Sequence, residues 1–217
     1  PIQEIEGKVN LDDPEDFLAT LQGGFNASVV GVYQVTTARL KANQGNLPEL
    51  TTRFGLVKKS SYRLRRYTPM TQESEPHAEL VVTAKGAKSK VEIDDFPGMR
   101  LKNRTEIESP LFWPGDFDEL VELVCVEHGT SQGDRFDKWR YVVEMGGGSK
   151  IRLDVDVFPS VNVETGNPIA YFEVEGSDAK WIGEAFDTLR VKPWDVLPYT
   201  ARKFFKKFHP HVDMNEL

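Results

Sequence analysis

Charged residues recur at every second position in segment after segment of this chain, and few architectures tolerate that pattern. In Glu4-Ile5-Glu6-Gly7-Lys8, two acids and a lysine alternate with an apolar residue and a glycine. Successive side chains of an extended strand point to opposite faces, so all three charges leave the same face. The period returns in Arg63-Leu64-Arg65, Lys90-Val91-Glu92-Ile93-Asp94, Lys138-Trp139-Arg140, Arg152-Leu153-Asp154-Val155-Asp156 and Glu173-Val174-Glu175. An antiparallel sheet with one wet face also alternates, but here the polar positions are almost all ionised and the positions between them mostly apolar. That combination suits a barrel with a charged interior.

The charged strands are spread along the whole chain, so we read residues 1–217 as one domain. With 34 acids against 27 bases, the formal net charge of -7 argues against a general nucleic-acid or membrane-surface binder. A phosphate-rich ligand must then be met by a local basic cluster. The single cysteine, Cys125, has no intramolecular disulfide partner and lies in an apolar run, where a buried inert thiol is expected. No stretch reaches the roughly 20 apolar residues of a membrane span, and the start lacks the pattern of a signal peptide. The expectation is a soluble, cytoplasmic protein.

Asp12-Asp13-Pro14-Glu15-Asp16 predicts a helix start, with Phe17, Leu18 and Leu21 as its apolar face and Gly23-Gly24 as its stop. The β-branched run after Ala27 predicts a strand to Leu40, and further strands are expected over 50–57 and 62–67. Residues 80–85 and 90–94 read as a hairpin across Gly86-Ala87-Lys88-Ser89. Residues 99–115 read as loop-rich, given Pro110 and Pro114-Gly115, and 116–126 fits either an amphipathic helix or a strand. Strands follow over 138–145, 150–158 and 169–175. Ser177-Asp178 caps a helix, and a tail over 191–217 carries a helix whose phenylalanines dock on the barrel. His209 and His211 are expected to be exposed.

The charges imply chemistry if they share one lumen. Glu4, Glu6, Glu173 and Glu175, with Asp154 or Asp156 nearby, would repel one another unless a cation or raised pKa values relieved them. Hard oxygen donors call for Mg²⁺ or Mn²⁺. Lys8, Arg63, Arg65, Lys85, Lys138, Arg140 and Arg152 are too many cations for a metal site alone. A polyanion with several phosphoryl groups satisfies both halves, and a triphosphate is the ligand inferred.

In order and in kind, these strings resemble the CYTH superfamily, the triphosphate tunnel metalloenzymes. Glu4-Ile5-Glu6-Gly7-Lys8 is similar to its Glu-x-Glu-x-Lys signature, Tyr62-Arg63-Leu64-Arg65 to its arginine strand, and Thr83-Ala84-Lys85-Gly86 to its lysine strand. Lys90 to Asp94, Lys138-Trp139-Arg140, Leu153-Asp154 and Phe172-Glu173-Val174-Glu175 are similar to its later strands. The likeness runs over roughly residues 2–190. The chain departs from the pattern in two places: no tyrosine-aspartate strand lies between 28 and 60, and 96–118 reads as an insertion.

The resemblance implies a mainly β, α+β fold: an eight-stranded antiparallel closed barrel, a tunnel open at both ends, with a few peripheral helices. It implies a metal-dependent hydrolase cleaving the terminal phosphate of a nucleoside triphosphate, inorganic triphosphate or RNA 5′-triphosphate. The alternatives are a class IV-type adenylate cyclase making cyclic AMP and pyrophosphate, and a non-catalytic nucleotide- or polyphosphate-binding module. Glu4, Glu6, Asp154, Glu173 and Glu175 would hold Mg²⁺ or Mn²⁺, with Glu92 and Asp94 as lesser candidates. Lys8, Arg63, Arg65, Lys85, Lys138, Arg140 and Arg152 would hold phosphates, and Glu4, Glu6, Lys8 and Arg65 would be catalytic. Lys90 and Asp94 would otherwise be cross-strand partners on a wet face.

Overall fold

A computed structural model of the chain describes residues 2–42, 60–71, 77–146 and 151–213. Among these residues there are eight strands: β1 (Ile2–Leu11), β2 (Ala27–Ala42), β3 (Ser60–Pro69), β4 (His77–Glu92), β5 (Arg100–Leu111), β6 (Thr130–Met145), β7 (Arg152–Val161) and β8 (Pro168–Gly176). All neighbours are antiparallel, in the order β1-β5-β4-β3-β2-β6-β7-β8. β1 pairs with β5 on one side and with β8 on the other, so the order returns on itself. The eight antiparallel strands and peripheral helices expected from the sequence are present.

Alternation then separates two environments. On β1, β7 and β8 the apolar positions Ile5, Leu153, Val155, Phe172 and Val174 point outward into the main hydrophobic cluster, while the charged positions between them point inward. Most of the cohesion therefore sits between the sheet's outer surface and the helices that cover it. Helix α1 (Pro14–Gly24) starts where Asp13 accepts from the backbone N–H groups of Glu15 and Asp16, both at 3.0 Å. It stacks Phe17 on Phe172 with ring centroids 4.7 Å apart.

Helix α2 (Phe117–His128) settles the ambiguous segment at 116–126. Asp116 caps its first turn, Gly129 ends it at φ 59°, and Phe117, Leu120, Val121 and Val124 bury against Ala38, Leu40, Tyr62 and Leu64. Helix α3 (Ala179–Thr188) is capped by Asp178 and packs Ile182 and Phe186 over β1 and β8. A Cβ on Gly7 would lie 2.7 Å from Phe186 and from Val196, and 2.9 Å from Leu101. Glycine in the first charged string is thus a packing requirement. No helix of the described residues is long and apolar enough to cross a membrane.

Four expectations need correction. The supposed hairpin is one strand, β4, whose register slips from Ala84 opposite Thr105 to Ser89 opposite Asn103, so Lys85 to Lys88 form a bulge. The glycine and serine there relax the ladder without reversing the chain. The loop-rich stretch holds β5, with Pro110 near its end opposite Glu79. Cys125 is half-buried on α2 rather than enclosed. His209, expected to be exposed, is buried against Phe204 and Phe205.

The phenylalanines of the C-terminal tail dock as expected: Phe204 and Phe205 of helix α4 (Ala201–Phe208) pack with Phe136, Phe158 and Tyr171. The strand expected over 50–57 lies outside the described residues.

Candidate active site

Registers decide which charges meet. Across the β1–β8 ladder Glu6 lies opposite Glu175 and Lys8 opposite Glu173, and across β1–β5 Glu4 lies opposite Arg104 and Glu6 opposite Lys102. On β6 and β7, Arg140 lies opposite Asp156, and Asp154 lies opposite Glu173 of β8. Cross-strand neighbours have Cβ atoms about 5 Å apart, so long charged side chains from five strands meet inside.

The outer level of this interior is a cavity of about 200 Å³ whose wall includes Glu4, Arg65, Arg104, Arg140, Arg152, Asp154, Glu173 and Glu175. Glu4, Glu6 and Glu175 can each place a carboxylate oxygen within 4.8 Å of the others. Arg104 Nε donates to Glu4 at 2.7 Å, its Nη2 lies 3.0 Å from Glu6, and Lys102 Nζ donates to Glu6 at 2.6 Å. Burial works against ionised Glu6, yet Lys8, Arg104 and Lys102 outweigh it and hold the carboxyl well below its usual range. Burial takes Lys102 the other way, down to about 8, despite Glu6.

Glu175 behaves differently. Its side chain reaches the water of the cavity mouth, but the surrounding wall is dense enough that burial, with Glu173 and Asp154 behind it, pushes its carboxyl up to about 7. It makes no hydrogen bond or ion pair with a described residue. Asp154 Oδ1 is likewise buried without a hydrogen-bond partner among the described residues. The three-glutamate group thus offers hard oxygen donors with one member held toward neutrality, a donor set that fits a small divalent cation.

Along the inner wall of the cavity and beneath it the charges are matched. Arg140 reaches Asp154 at 2.6 Å, Asp156 at 2.8 Å and Glu173 at 2.8 Å, while Lys138 also bonds Asp156. Lys8 bonds Glu173 and reaches Glu6 at 3.0 Å. Burial opposes ionisation of Asp156, yet Arg140 and Lys138 hold its carboxyl far below normal. Burial and Arg140 together bring Lys138 down to about 8, whereas Lys8 is raised because Glu173 and Glu6 overcome burial. Asp156 is therefore the centre of a buried pair network.

The remaining sequence candidates divide. Arg65 donates to the Tyr67 hydroxyl at 3.3 Å and lies 3.6 Å from Glu108. Arg63 shares its face of β3 and is half-buried. Arg152 is 64% exposed at the mouth, 3.7 Å from Asp154. Lys85 lies in the β4 bulge, and its side chain is outside those described. Glu92 and Asp94 are exposed, Glu92 pairing with Arg100 at 2.9 Å, so neither joins the glutamate group. Sequence reasoning missed Lys102 and Arg104. The signal was present, since Lys102-Asn103-Arg104 keeps the same period of two as the other strings.

No protein-family model matches the chain, and no curated protein does. Solved structures do. The chain resembles the PH1012 protein of Pyrococcus horikoshii, with a TM-score of 0.58 and 14% identity, covering 92% of this chain and 98% of that one. It resembles a conserved hypothetical protein of Pyrococcus furiosus, with a TM-score of 0.57 and 19% identity over 92% and 98% of the two chains. It also resembles HpAC1 of Hippeastrum, an adenylyl cyclase by designation with a dominant triphosphatase activity, with a TM-score of 0.55 and 15% identity over 94% and 95%. At these identities the likeness is one of fold.

Proposed function

We propose that this chain is a metal-dependent hydrolase that cleaves the terminal phosphate of a triphosphate bound within its ring of strands. The carrying observation is that Glu4 and Glu175, whose carboxylates meet that of Glu6, face the same cavity as the arginines Arg65, Arg104, Arg140 and Arg152. A cation site alone needs no such arginines, and a simple anion site would be weakened by the glutamates. A triphosphate bridged to carboxylates by a divalent cation accommodates both. HpAC1, of the same fold, is described as having a dominant triphosphatase activity.

In this reading Glu4, Glu6 and Glu175 hold Mg²⁺ or Mn²⁺, which when bound supplies Lewis acidity toward phosphoryl oxygens and lowers the pKa of water. Asp154 and Glu173 stand behind that group and orient Arg140. Arg65 and Arg104 bind non-bridging oxygens as bidentate forks, and Arg152 at the mouth meets the part of the substrate nearest solvent. Hydrolysis then forms one P–O bond from the water oxygen and breaks one bridging P–O bond. The electron pair goes to the leaving diphosphoryl oxygen and the water proton to solvent. Fixed cations around the transferred group stabilise the developing charge without reorganising.

A panel of inorganic triphosphate, nucleoside triphosphates and a 5′-triphosphorylated RNA, assayed with Mg²⁺ and with Mn²⁺, tests the reading. Phosphate release should appear and should fall by about a hundredfold or more in Glu4→Gln. Absence of release from every member would end the proposal, and chromatographic detection of cyclic AMP with pyrophosphate would redirect it to a cyclase.

A further inference from the structure

Away from the cavity the surface cations are of two kinds. Arg100, Arg135 and Lys180 each reach an acid, Glu92, Asp118 and Asp95 respectively. Lys192, Lys203, Lys206 and Lys207 are exposed and reach no carboxylate among the described residues. In a chain of 34 acids and 27 bases, four such lysines within one short stretch depart from the character of the whole.

These lysines are set against aromatic rings instead. Lys203 Nζ lies 4.3 Å and Lys207 Nζ 5.2 Å from the Tyr199 ring centroid, and Lys207 also donates to the Tyr199 hydroxyl at 3.1 Å. Lys207 is 5.2 Å from the Phe208 ring, and Lys192 is 5.8 Å from that of Trp194, which is 69% exposed. Lys206 follows Lys203 by three positions on α4 and so shares its side of the helix. Lys90 of β4 adds its field here: the Lys207 hydrogen bond first, then Lys207, Lys203 and Lys90 as charges, hold the Tyr199 hydroxyl below its usual range.

Phe204 and Phe205 are fully buried against Tyr171 and Phe158, so α4 keeps no apolar face to lower into a membrane. What it shows to solvent is ammonium groups at helical spacing with flat rings among them. Single-stranded nucleic acid is held by that combination, cations on its phosphates and rings against its bases. An acidic peptide would satisfy the lysines and leave the rings idle. We infer that the lysine and aromatic surface of residues 192–208 docks single-stranded RNA, apart from the glutamate cavity and without a metal ion. Tyr171 and Phe158, on which α4 rests, are each four residues along their strands from Glu175 and Asp154 of the cavity wall, about 13 Å of strand. Of the candidate substrates only an RNA 5′ end has a body long enough to touch both places. That selectivity, unlike the docking, rests on the hydrolase reading.

Fluorescence anisotropy of a labelled 5′-hydroxyl oligouridylate in EDTA isolates this surface, since neither a triphosphate nor a metal ion is present. Binding is expected at low salt, with log K falling against log salt at a slope of about −2 to −3 for roughly three or four phosphates engaged. Lys203→Glu combined with Lys207→Glu should abolish it, and Tyr199→Ala should weaken it about fivefold or more. If Tyr199→Ala does not fold, Trp194→Ala at an exposed ring should weaken it in its place. In turnover, the double lysine variant should raise KM for a long 5′-triphosphorylated RNA about tenfold or more and leave inorganic triphosphate unchanged.

No binding of the oligouridylate at low salt, undiminished binding by the double variant, or equally tight binding of a polyglutamate peptide would overturn the docking. Equal effects of the double variant on both triphosphates would overturn the selectivity. RNA binding with no phosphate released from any triphosphate would end the hydrolase reading and leave the docking standing, and release without RNA binding would do the reverse.

Discussion

The mouth and the depth of the charged interior are built from the same residue types and differ in how the charges are matched. In the depth, Arg140 alone faces three carboxylates, Asp154, Asp156 and Glu173, at 2.6–2.8 Å, and Lys138 and Lys8 complete the set. At the mouth, Glu175 has no partner among the described residues and Arg152 is 64% exposed. Buried charges persist when each has a partner, and removing one partner strands the rest. Unmatched charges at a water-filled mouth persist because solvent or a ligand can complete them. Identical side chains thus serve cohesion in one place and recognition in the other.

Breaking the depth should give the largest effect. Arg140→Ala leaves three buried carboxylates without their shared guanidinium, and a loss of about 3–5 kcal/mol is expected in urea denaturation at pH 7. A loss below about 1 kcal/mol would mean that the deep network is not what holds the lining, and the contrast with the mouth would collapse.

Glu175 sharpens the comparison through pH. Its carboxyl is raised from 4.5 to about 7, so between those pH values the folded chain holds a proton that the unfolded chain has released. Stability from this group is therefore lost as pH rises across that window, and the melting temperature of the parent should fall there relative to Glu175→Gln. Mg²⁺ or Mn²⁺ should flatten the difference, because a cation favours the ionised form. Parallel melting profiles for the two proteins across the window would refute the assigned environment.

The smallest effect belongs outside. Arg100 and Glu92 pair at 2.9 Å but are 55% and 67% exposed, and Arg100→Ala should change stability by about 0–1 kcal/mol and triphosphate turnover not at all.

How much the sequence disclosed follows the same divide. Alternation announces itself locally, so β1, β3, β6, β7 and β8, and the inward face of each, could be read from residues such as Glu4, Arg65 and Arg140. β5 could not, because Pro110 and the Pro114-Gly115 pair just beyond it mask the period-two run at Lys102 and Arg104. The β4 bulge mimicked a turn because glycine, alanine and serine carry the same local signal in either setting. Ion-pair partners depend on register across strands distant in sequence, which no local pattern encodes. The aromatic cluster was half visible: Phe136, Phe158 and Tyr171 continue the parity of the charged positions, but the arrival of α4 against them is a tertiary event.

One outer contact has reach beyond its size. With no side chain at Gly7, Phe186 and Val196 press almost directly on the backbone of β1, on the reverse side of Glu6 and Lys8. The wall is one backbone thick here. Whatever shifts α3 from outside, whether a bulkier residue at position 7 or a weight leaning on that helix, bears directly on the backbone that carries the carboxylate and the ammonium within.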